Sequence, residues 1–481
     1  MPAPLLDPVL PTSAVTTPQQ LFRDQATRAL ALRSSTAEER RALLDSLHQA
    51  LVARREALYV AFRADFGKPQ VEVELSEIMP VLEEIQHARR HLRRWMKPRR
   101  VGATLTSLGC PAEVHCQPRG RCLIIGPWNY PVSTLLGPLV SALAAGNTVI
   151  LKPSEFTPAI NAVLREMVAE AFTPDTVALC EGGVETAQAL LALPFDHFFF
   201  TGSTAVGRLV MQAAAQHMAS VTLELGGKSP AIVEASADLD AAVELLLWGK
   251  FLNAGQSCIA PDHVFVHRSL LDAFNEGCRS LLARRYGNDP AASPDLARLI
   301  HERHAAGLAE LLQRAQAAGA RLICGGDHDV ARRYLAPTLL DCSAIASPLD
   351  QVEIFGPLLP VIAYDELDDV LQRIDAGPKP LALYLWSRDR QVQRQVLART
   401  RSGSLGLNLC MQQYTQVNLP FGGVNHSGSG SAHGLAGFRT FSHERSVLRA
   451  GPWLAVKLLF PPYSKAKLRL AQWVTRLVGR G

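Results

Sequence analysis

Cys258 closes the segment Asn253-Ala254-Gly255-Gln256-Ser257-Cys258, a polar, glycine-containing stretch just ahead of Pro261. Most cysteines are small core hydrophobes. A thiol in such a loop can instead reach a substrate, and a thiolate is the strongest nucleophile a side chain offers at neutral pH. Lys152 ends the apolar run 148–151 and precedes Pro153-Ser154-Glu155. Only nine of the 49 basic residues are lysines. A lysine here reads either as a point charge on a flexible stem or as a solvated surface group. Glu155 has the side chain that binds nucleotide ribose hydroxyls. Thr201-Gly202-Ser203-Thr204-Ala205-Val206-Gly207 follows Phe198-Phe199-Phe200 and opens a helical run to His217. A strand, a glycine turn and a helix start can cradle an anion. The spacing Gly-x-x-x-x-Gly differs from the dinucleotide fingerprint, so on the motif alone an ordinary strand–turn–helix connection fits equally well. Leu225-Gly226-Gly227-Lys228-Ser229 is not a P-loop, because Thr222 stands where the first glycine is required.

These groups need elements to place them. Thr36 to Glu39 fits a capping box opening a long helix, with Leu43, Leu44, Leu47, Leu51 and Leu58 at helical spacing and a stop near Gly67. A second amphipathic helix is expected over 74–97. Neither helix carries obvious chemistry. From residue 101 the pattern changes. Apolar runs at 123–125, 148–151, 177–179 and 195–200 each end in Gly, Pro, Lys or Glu and lead into helix-like sequence. That alternation predicts a parallel sheet, whose ligands sit beyond the carboxyl ends of its strands. Runs at 231–233, 264–266 and 358–362 predict a second α/β unit.

The chain has 481 residues, 48% hydrophobic and 19% charged. This composition suits about three folded domains and excludes disorder and small cysteine scaffolds. The net charge is +5, but eight basic residues and no acidic one follow Glu444, so the first 444 residues carry −3. A mildly acidic body argues against nucleic acid as a partner. Cys110, Cys116 and Cys122 fall six apart, which fits no zinc spacing, and no metal is expected. Nine cysteines at irregular spacings read as free thiols in a reducing compartment. The N-terminus lacks a basic n-region and is not read as a signal peptide. The apolar window 132–151 is broken by Gly146-Asn147 and reads as helix, turn and strand rather than a membrane span. A cytoplasmic protein is expected.

Taken in order, seven segments resemble the aldehyde dehydrogenase superfamily over about residues 20–450. They are Gly126-Pro127-Trp128-Asn129-Tyr130-Pro131, Lys152-Pro153-Ser154-Glu155, Phe200-Thr201-Gly202-Ser203, Glu224-Leu225-Gly226-Gly227-Lys228-Ser229-Pro230, Gly255-Gln256-Ser257-Cys258, Glu353-Ile354-Phe355-Gly356-Pro357 and Leu419-Pro420-Phe421-Gly422-Gly423. The wording around Trp128, the run Lys379-Pro380-Leu381-Ala382-Leu383-Tyr384 and the late Phe460-Pro461-Pro462-Tyr463 are similar to the class 3 branch, which includes fatty aldehyde dehydrogenases.

The resemblance implies an α/β fold with a Rossmann-type cofactor domain (13–105 and 120–223), a catalytic domain (224–408), bridging and oligomerisation segments (106–119 and 409–450) and a basic tail (451–481). It implies NAD, or NADP, as cofactor and a homodimer. It makes Cys258 the nucleophile, Asn129 with the Cys258 backbone N–H the oxyanion hole, and Glu224 the base for thioester hydrolysis. Lys152, Glu155, Thr201, Gly202, Ser203, Gly207, Gly226, Glu353 and Phe355 would hold the cofactor. Trp128, Tyr130 and Phe421 would line the substrate pocket. The implied reaction oxidises an aliphatic, medium- or long-chain, or aromatic aldehyde to the acid. Glu224 favours a free acid over transfer to coenzyme A, the rival within enzymes. Cys258, Glu224 and Asn129 together argue against a catalytically silent binding protein. Glu155 favours NAD, since a carboxylate repels a 2′-phosphate. Three departures from the family pattern, Asn425-His426, Leu409 and Ser257, remove no catalytic group; those near 405–426 bear on pocket shape.

The tail over 464–479 reads as an amphipathic helix. Lys465, Arg469, Gln472, Arg476 and Arg480 share one face; Leu470, Trp473, Val474, Leu477 and Val478 share the other. Such a helix suits peripheral contact with a membrane surface or packing on the protein body.

Overall fold

The computed structural model describes residues 17–104, 107–451, 457 and 460–479. The capping box at Thr36 forms as expected: Thr36 N–H donates to the Glu39 carboxylate at 2.6 Å, and Glu39 N–H donates to Thr36 Oγ1 at 3.2 Å. The long helix is in fact two, Ala37–Ala53 and Arg55–Phe66. They break at Arg54, whose guanidinium reaches Glu166 (2.7 Å) and Glu170 (2.9 Å) on a neighbouring helix. Gly67 ends the second in the left-handed region at φ 62°, as its type requires.

The next helix starts earlier than expected and is not regular. Gln70–Val73 is α-helical, Glu74–Ile78 is a π turn, and Met79–Trp95 is α-helical again. Met79 N–H bonds the Glu74 carbonyl five residues back. Pro80 follows at once and has no N–H to give, so the wider turn lies where the α ladder would lose a bond anyway.

The six-stranded sheet runs, edge to edge, Gly428–Ser429, Ser220–Glu224, His197–Thr201, Arg121–Ile125, Thr148–Lys152, Val177–Leu179. All pairings are parallel except the first. The expected run at 195–200 becomes a strand two residues late because Phe195 turns into the core, edge-on to Phe22 at 4.8 Å. The window 132–151 is helix Ser133–Ala145, a left-handed Gly146 (φ 89°) and a buried strand. Among the described residues no helix is long and apolar enough to cross a membrane.

The seven-stranded sheet runs Arg321–Cys324, Thr338–Asp341, Leu358–Tyr364, His263–His267, Pro230–Val233, Ala382–Trp386, Ser404–Leu407. Its strands at 230–233, 263–267 and 358–364 are the expected runs, each slightly extended. A three-stranded antiparallel sheet joins Arg99–Val101, Ala112–Pro118 and Ser442–Leu448. Two short strands thus sit in other sheets than the expected boundaries gave them. Residues 99–101 pair with 112–114 of the small sheet, and 428–429 pair with 223–224 of the six-stranded one.

The tail helix spans Lys465–Val478, capped by the Ser464 hydroxyl, and buries none of its side chains. Trp473 is 59% exposed. Arg480 and residues 452–456 and 458–459 lie outside the described residues, as does the Pro-rich start.

Candidate active site

The chain builds the six-stranded sheet outward from its centre. After Arg121–Ile125 it adds 148–152 and 177–179 on one side, then returns to add 197–201 and 220–224 on the other. The order reverses between the neighbouring strands 121–125 and 197–201, and the crevice beyond such a reversal is where α/β sheets bind ligands. The loops after four strands meet there, carrying Asn129, Lys152 with Glu155, Gly202 with Ser203, and Glu224 with Gly226.

The crevice has the features a dinucleotide needs. Helix Thr204–Gln216 points its N-terminus into it, with Ser203 as cap. A Cβ on Gly202 would lie 2.5 Å from the Phe200 ring, and one on Gly207 2.7 Å from Leu225. Only glycine lets the turn and helix lie this close. Thr201 ends the strand and pairs with Glu224 across the sheet. Lys152 is 4% exposed and pairs with Glu155 at 3.0 Å. A Cβ on Gly226 would lie 2.3 Å from both Glu353 carboxylate oxygens, so that carboxylate lies against bare backbone. Glu353 Oε1 is buried without a hydrogen-bond partner among the described residues. Burial pushes the Glu353 carboxyl up to about 7, against the pull of the Gly227 N–H and Lys228. An orphaned acceptor in this crevice fits a ribose hydroxyl, and the residues present fit NAD or NADP.

Phe355 is held at φ 50°, in the left-handed region. Its carbonyl accepts from the His304 ring at 2.9 Å, and its ring meets Trp128 edge-on at 5.4 Å. Lys228, excluded above as a phosphate lysine, pairs with Asp262 and donates to the carbonyls of Leu349 (2.7 Å) and Val352 (2.8 Å). Asp262 accepts the Ile354 N–H at 2.8 Å. Burial works against the Asp262 charge, yet Lys228 and His263 beside it hold the carboxyl well below the usual range. Two charged groups thus fix the loop that carries Glu353 and Phe355.

Cys258 lies at the wall of a cavity of about 220 Å³. Burial first, and then the nearby Glu353 and Glu224, push its thiol up to about 12; the Cys258 and Ile259 backbone N–H groups act in the other direction. Glu224 is 5% exposed, and neither of its oxygens has a partner among the described residues. Burial alone raises its carboxyl well above the ordinary value. Asn129 is buried and its Nδ2 donates to the Gln256 carbonyl at 3.0 Å. That nitrogen carries two protons, which leaves one for another acceptor.

The cavity wall is apolar. Leu75, Met79, Tyr130, Trp248, Leu252, Ile259, Met411 and Tyr414 line it with a few hydroxyl and amide groups, and no described lining residue is charged. Of the three expected pocket residues only Tyr130 lies here. Trp128 turns toward Phe355, and Phe421 stands behind the wall, edge-on to Tyr414 at 5.0 Å. Trp248, Met411 and Tyr414 were not expected from sequence, nor were His304, Asp262 and the buried Lys250, whose ammonium burial lowers to about 8. Their positions in sequence are scattered and follow no motif; Lys250, following the apolar run 245–248 in helix Leu239–Phe251, was the one available signal.

The profile described as "Aldehyde dehydrogenase family" matches residues 18–447. The chain is 38% identical over 442 residues to the 4,4'-diaponeurosporen-aldehyde dehydrogenase of Staphylococcus aureus, covering 92% of this chain and 94% of that one. It is 40% identical over 440 residues to aldehyde dehydrogenase family 3 member B1 of Rattus norvegicus, covering 91% and 93%. Among solved structures it is similar to the substrate-bound state of Staphylococcus aureus AldH, with a TM-score of 0.90 and 37% identity over 95% of this chain and 99% of that one. It is also similar to a Mycobacterium tuberculosis aldehyde dehydrogenase complexed with NAD+, with a TM-score of 0.80 and 28% identity over 91% of each chain.

Proposed function

Since the chain belongs to the aldehyde dehydrogenase family and oxidises aldehydes with NAD or NADP, we propose that Cys258, Asn129 and Glu224 carry the reaction. The observation behind this reading is that Cys258 lines an uncharged cavity while two buried carboxylates with unpartnered oxygens, Glu224 and Glu353, act on its thiol. Cys258 Sγ adds to the aldehyde carbon and its proton passes to a neighbouring carboxylate. The carbonyl oxygen becomes an oxyanion, held by the free Nδ2 proton of Asn129 and the Cys258 backbone N–H. The carbon is now tetrahedral, so its hydrogen can leave with the bonding electron pair. NAD or NADP, when bound, supplies the hydride acceptor. Glu224 takes a proton from the water that opens the Cys258 thioester, giving the acid and regenerating the thiol.

Glu353 would hold the nicotinamide-side ribose against Gly226, with Phe355 beside it. Lys152 and Glu155 would hold the adenine ribose; Thr201, Gly202, Ser203 and Gly207 form the pyrophosphate turn. The six-stranded sheet is the cofactor unit, the seven-stranded sheet the catalytic unit and the three-stranded sheet the bridge of a homodimer. The substrate is an apolar aldehyde, medium- to long-chain aliphatic or aromatic. Charged semialdehydes would face an uncharged wall, and one relative is named for 4,4'-diaponeurosporen aldehyde. NADH formation over a panel from short to long alkanals plus benzaldehyde, with Cys258→Ala alongside, tests both parts. Activity surviving in the variant removes the nucleophile assignment, and a preference for charged short aldehydes removes the substrate class.

The tail serves peripheral attachment to an anionic bilayer. Its helix leaves Trp473, Leu477 and Val478 exposed and Leu470 and Val474 only partly buried, opposite Lys465, Arg469 and Arg476. Removing residues 452–481 should abolish co-sedimentation with phosphatidylglycerol vesicles; equal sedimentation with and without the tail would refute attachment.

A further inference from the structure

The loop that presents Cys258 is held in a conformation its sequence disfavours. Asn253, Ala254 and Gly255 follow one another at φ 52°, 52° and 75°. Side chains with a Cβ rarely adopt that region, and two in succession persist only where the surroundings fix them. Part of the fixing comes from the helix that begins at Gln70. The Glu72 carboxylate accepts the Asn253 backbone N–H at 2.9 Å, across 181 residues of sequence. The Asn253 side chain passes this on: its Nδ2 donates to the Asn129 carbonyl at 2.9 Å and to the Gln256 carbonyl at 3.3 Å. The Asn129 amide donates to the same Gln256 carbonyl. Glu72 therefore reaches the oxyanion donor through one intervening side chain.

The other side of Asn129 is tied to the same helical region. Lys68 and Glu77 form an ion pair at 2.9 Å, with both side chains fully buried. The second Glu77 oxygen accepts the backbone N–H groups of Val132 (3.1 Å) and Ser133 (2.9 Å), three and four residues past Asn129. The Lys68 ammonium lies 4.2 Å from the centre of the Tyr130 ring. Lys68 also acts electrostatically on both Glu72 and Glu77. Glu77 itself lies in the π turn, where Leu75 and Ser76, with Met79 just after it, face the aldehyde cavity while Glu77 stays inside. Turns of this kind concentrate at functional sites.

We propose that Glu72 is a positioning residue for aldehyde oxidation, fixing the left-handed nucleophile loop and, through Asn253, the Asn129 amide, with the Lys68–Glu77 pair as the fixed side of the clamp. The proposal rests on the assignment of Cys258 and Asn129 to the chemistry. Glu72 does not line the cavity, so its loss should slow turnover without weakening aldehyde or NAD binding.

The test compares Glu72→Ala, Glu72→Gln, Asn253→Gly, the Glu72→Ala/Asn253→Gly double variant and Cys258→Ala. Steady-state NADH formation with an alkanal is read beside thermal unfolding. A misplaced donor typically costs up to about a hundredfold, so Glu72→Ala should lower kcat roughly 10–100-fold with both KM values within about twofold. Glu72→Gln keeps an acceptor oxygen and should restore most of kcat. Asn253→Gly tolerates the backbone angle but deletes the side-chain tie, and should also lower kcat. The double variant should fall no further than the lower single, because both act through one chain of contacts. Unchanged kcat in Glu72→Ala, or multiplying losses in the double variant, overturns the clamp while an inactive Cys258→Ala keeps the nucleophile in place. An active Cys258→Ala overturns the assignment beneath it. Should Glu72→Ala fail to fold, Asn253→Gly decides: wild-type kcat refutes the proposal, and a loss that spares KM supports it.

Discussion

Replacing Glu224 by Gln should have opposite effects on stability and on turnover. Among the described residues the Glu224 carboxyl has no hydrogen-bond partner to lose, so at low pH the variant should match the wild type within about 1 kcal/mol. Burial raises this carboxyl well above its ordinary value. The folded protein therefore keeps a proton that the unfolded chain releases above about pH 4.3. The stability tied to that proton is complete below the unfolded pKa and is lost as pH rises through the folded one. Across that window the wild type should lose about 1.4 kcal/mol per pH unit, a slope the variant lacks. Urea unfolding of both proteins from about pH 5 upward reads the difference directly, because every other titrating group cancels. Turnover moves the other way. A lost general base costs roughly 10²–10⁴-fold. Cys258 and Asn129 remain, so the variant should release about one NADH per chain in a burst and then stall at the thioester. Parallel stability curves would refute the desolvated carboxyl. Undiminished steady-state turnover would refute its role as base.

Asn129→Ala should lower kcat about 10²–10³-fold through the missing oxyanion donor. Its melting temperature should barely move, because the Gln256 carbonyl keeps the Asn253 amide at 3.3 Å; a large loss of stability with intact kcat would contradict this. Gly255→Ala should destabilise by roughly 2–5 kcal/mol, summing a left-handed Cβ and an overlap, since that Cβ would lie 2.4 Å from the Gly356 carbonyl; denaturant unfolding checks it. Glu155→Gln should shift the NADP/NAD ratio of kcat/KM about tenfold toward NADP, or about 1.4 kcal/mol, leaving Lys152 to meet a 2′-phosphate. An unchanged ratio would mean that Glu155 does not face the ribose.

The strands were legible because buried parallel strands write themselves as short apolar runs stopped by Gly, Pro or a charged residue, as at Ile125-Gly126 and Leu151-Lys152. The family was legible for a related reason: Cys258, Glu224 and Glu353 sit in or at the edge of loops whose glycines, Gly226, Gly255 and Gly356, cannot be exchanged without collision. The helical region over 70–95 was misjudged. An unbroken amphipathic helix was expected over 74–97, yet its first turn is a π turn that holds Glu77 in the core against Lys68. Arg54 broke a helix that its leucine spacing made continuous, because Glu166 and Glu170 lie far away in sequence. The cavity wall was illegible for the same reason. Trp248, Met411 and Tyr414 are unremarkable apolar residues until folding brings them around Cys258, whereas Trp128, expected there from the resemblance, packs against Phe355.

The Gly428–Ser429 strand lies antiparallel to Ser220–Glu224, with Gly428 opposite Glu224, and Leu225 N–H donates to the Ser427 carbonyl. The whole seven-stranded sheet is made between these two partners. At roughly 5–20 residues per second, a ribosome leaves the outer edge of the Glu224 strand open for about 10–40 s after making it. An open parallel edge invites pairing with other chains, and here the seal arrives only after the whole seven-stranded sheet has been made. A chain released early would carry Cys258, Asn129 and Glu224 but lack the strand that closes the sheet beside Glu224. Closure of the sheet beside Glu224 thus waits on synthesis of residues 428–429, and a nascent chain that stops short of them keeps that edge open.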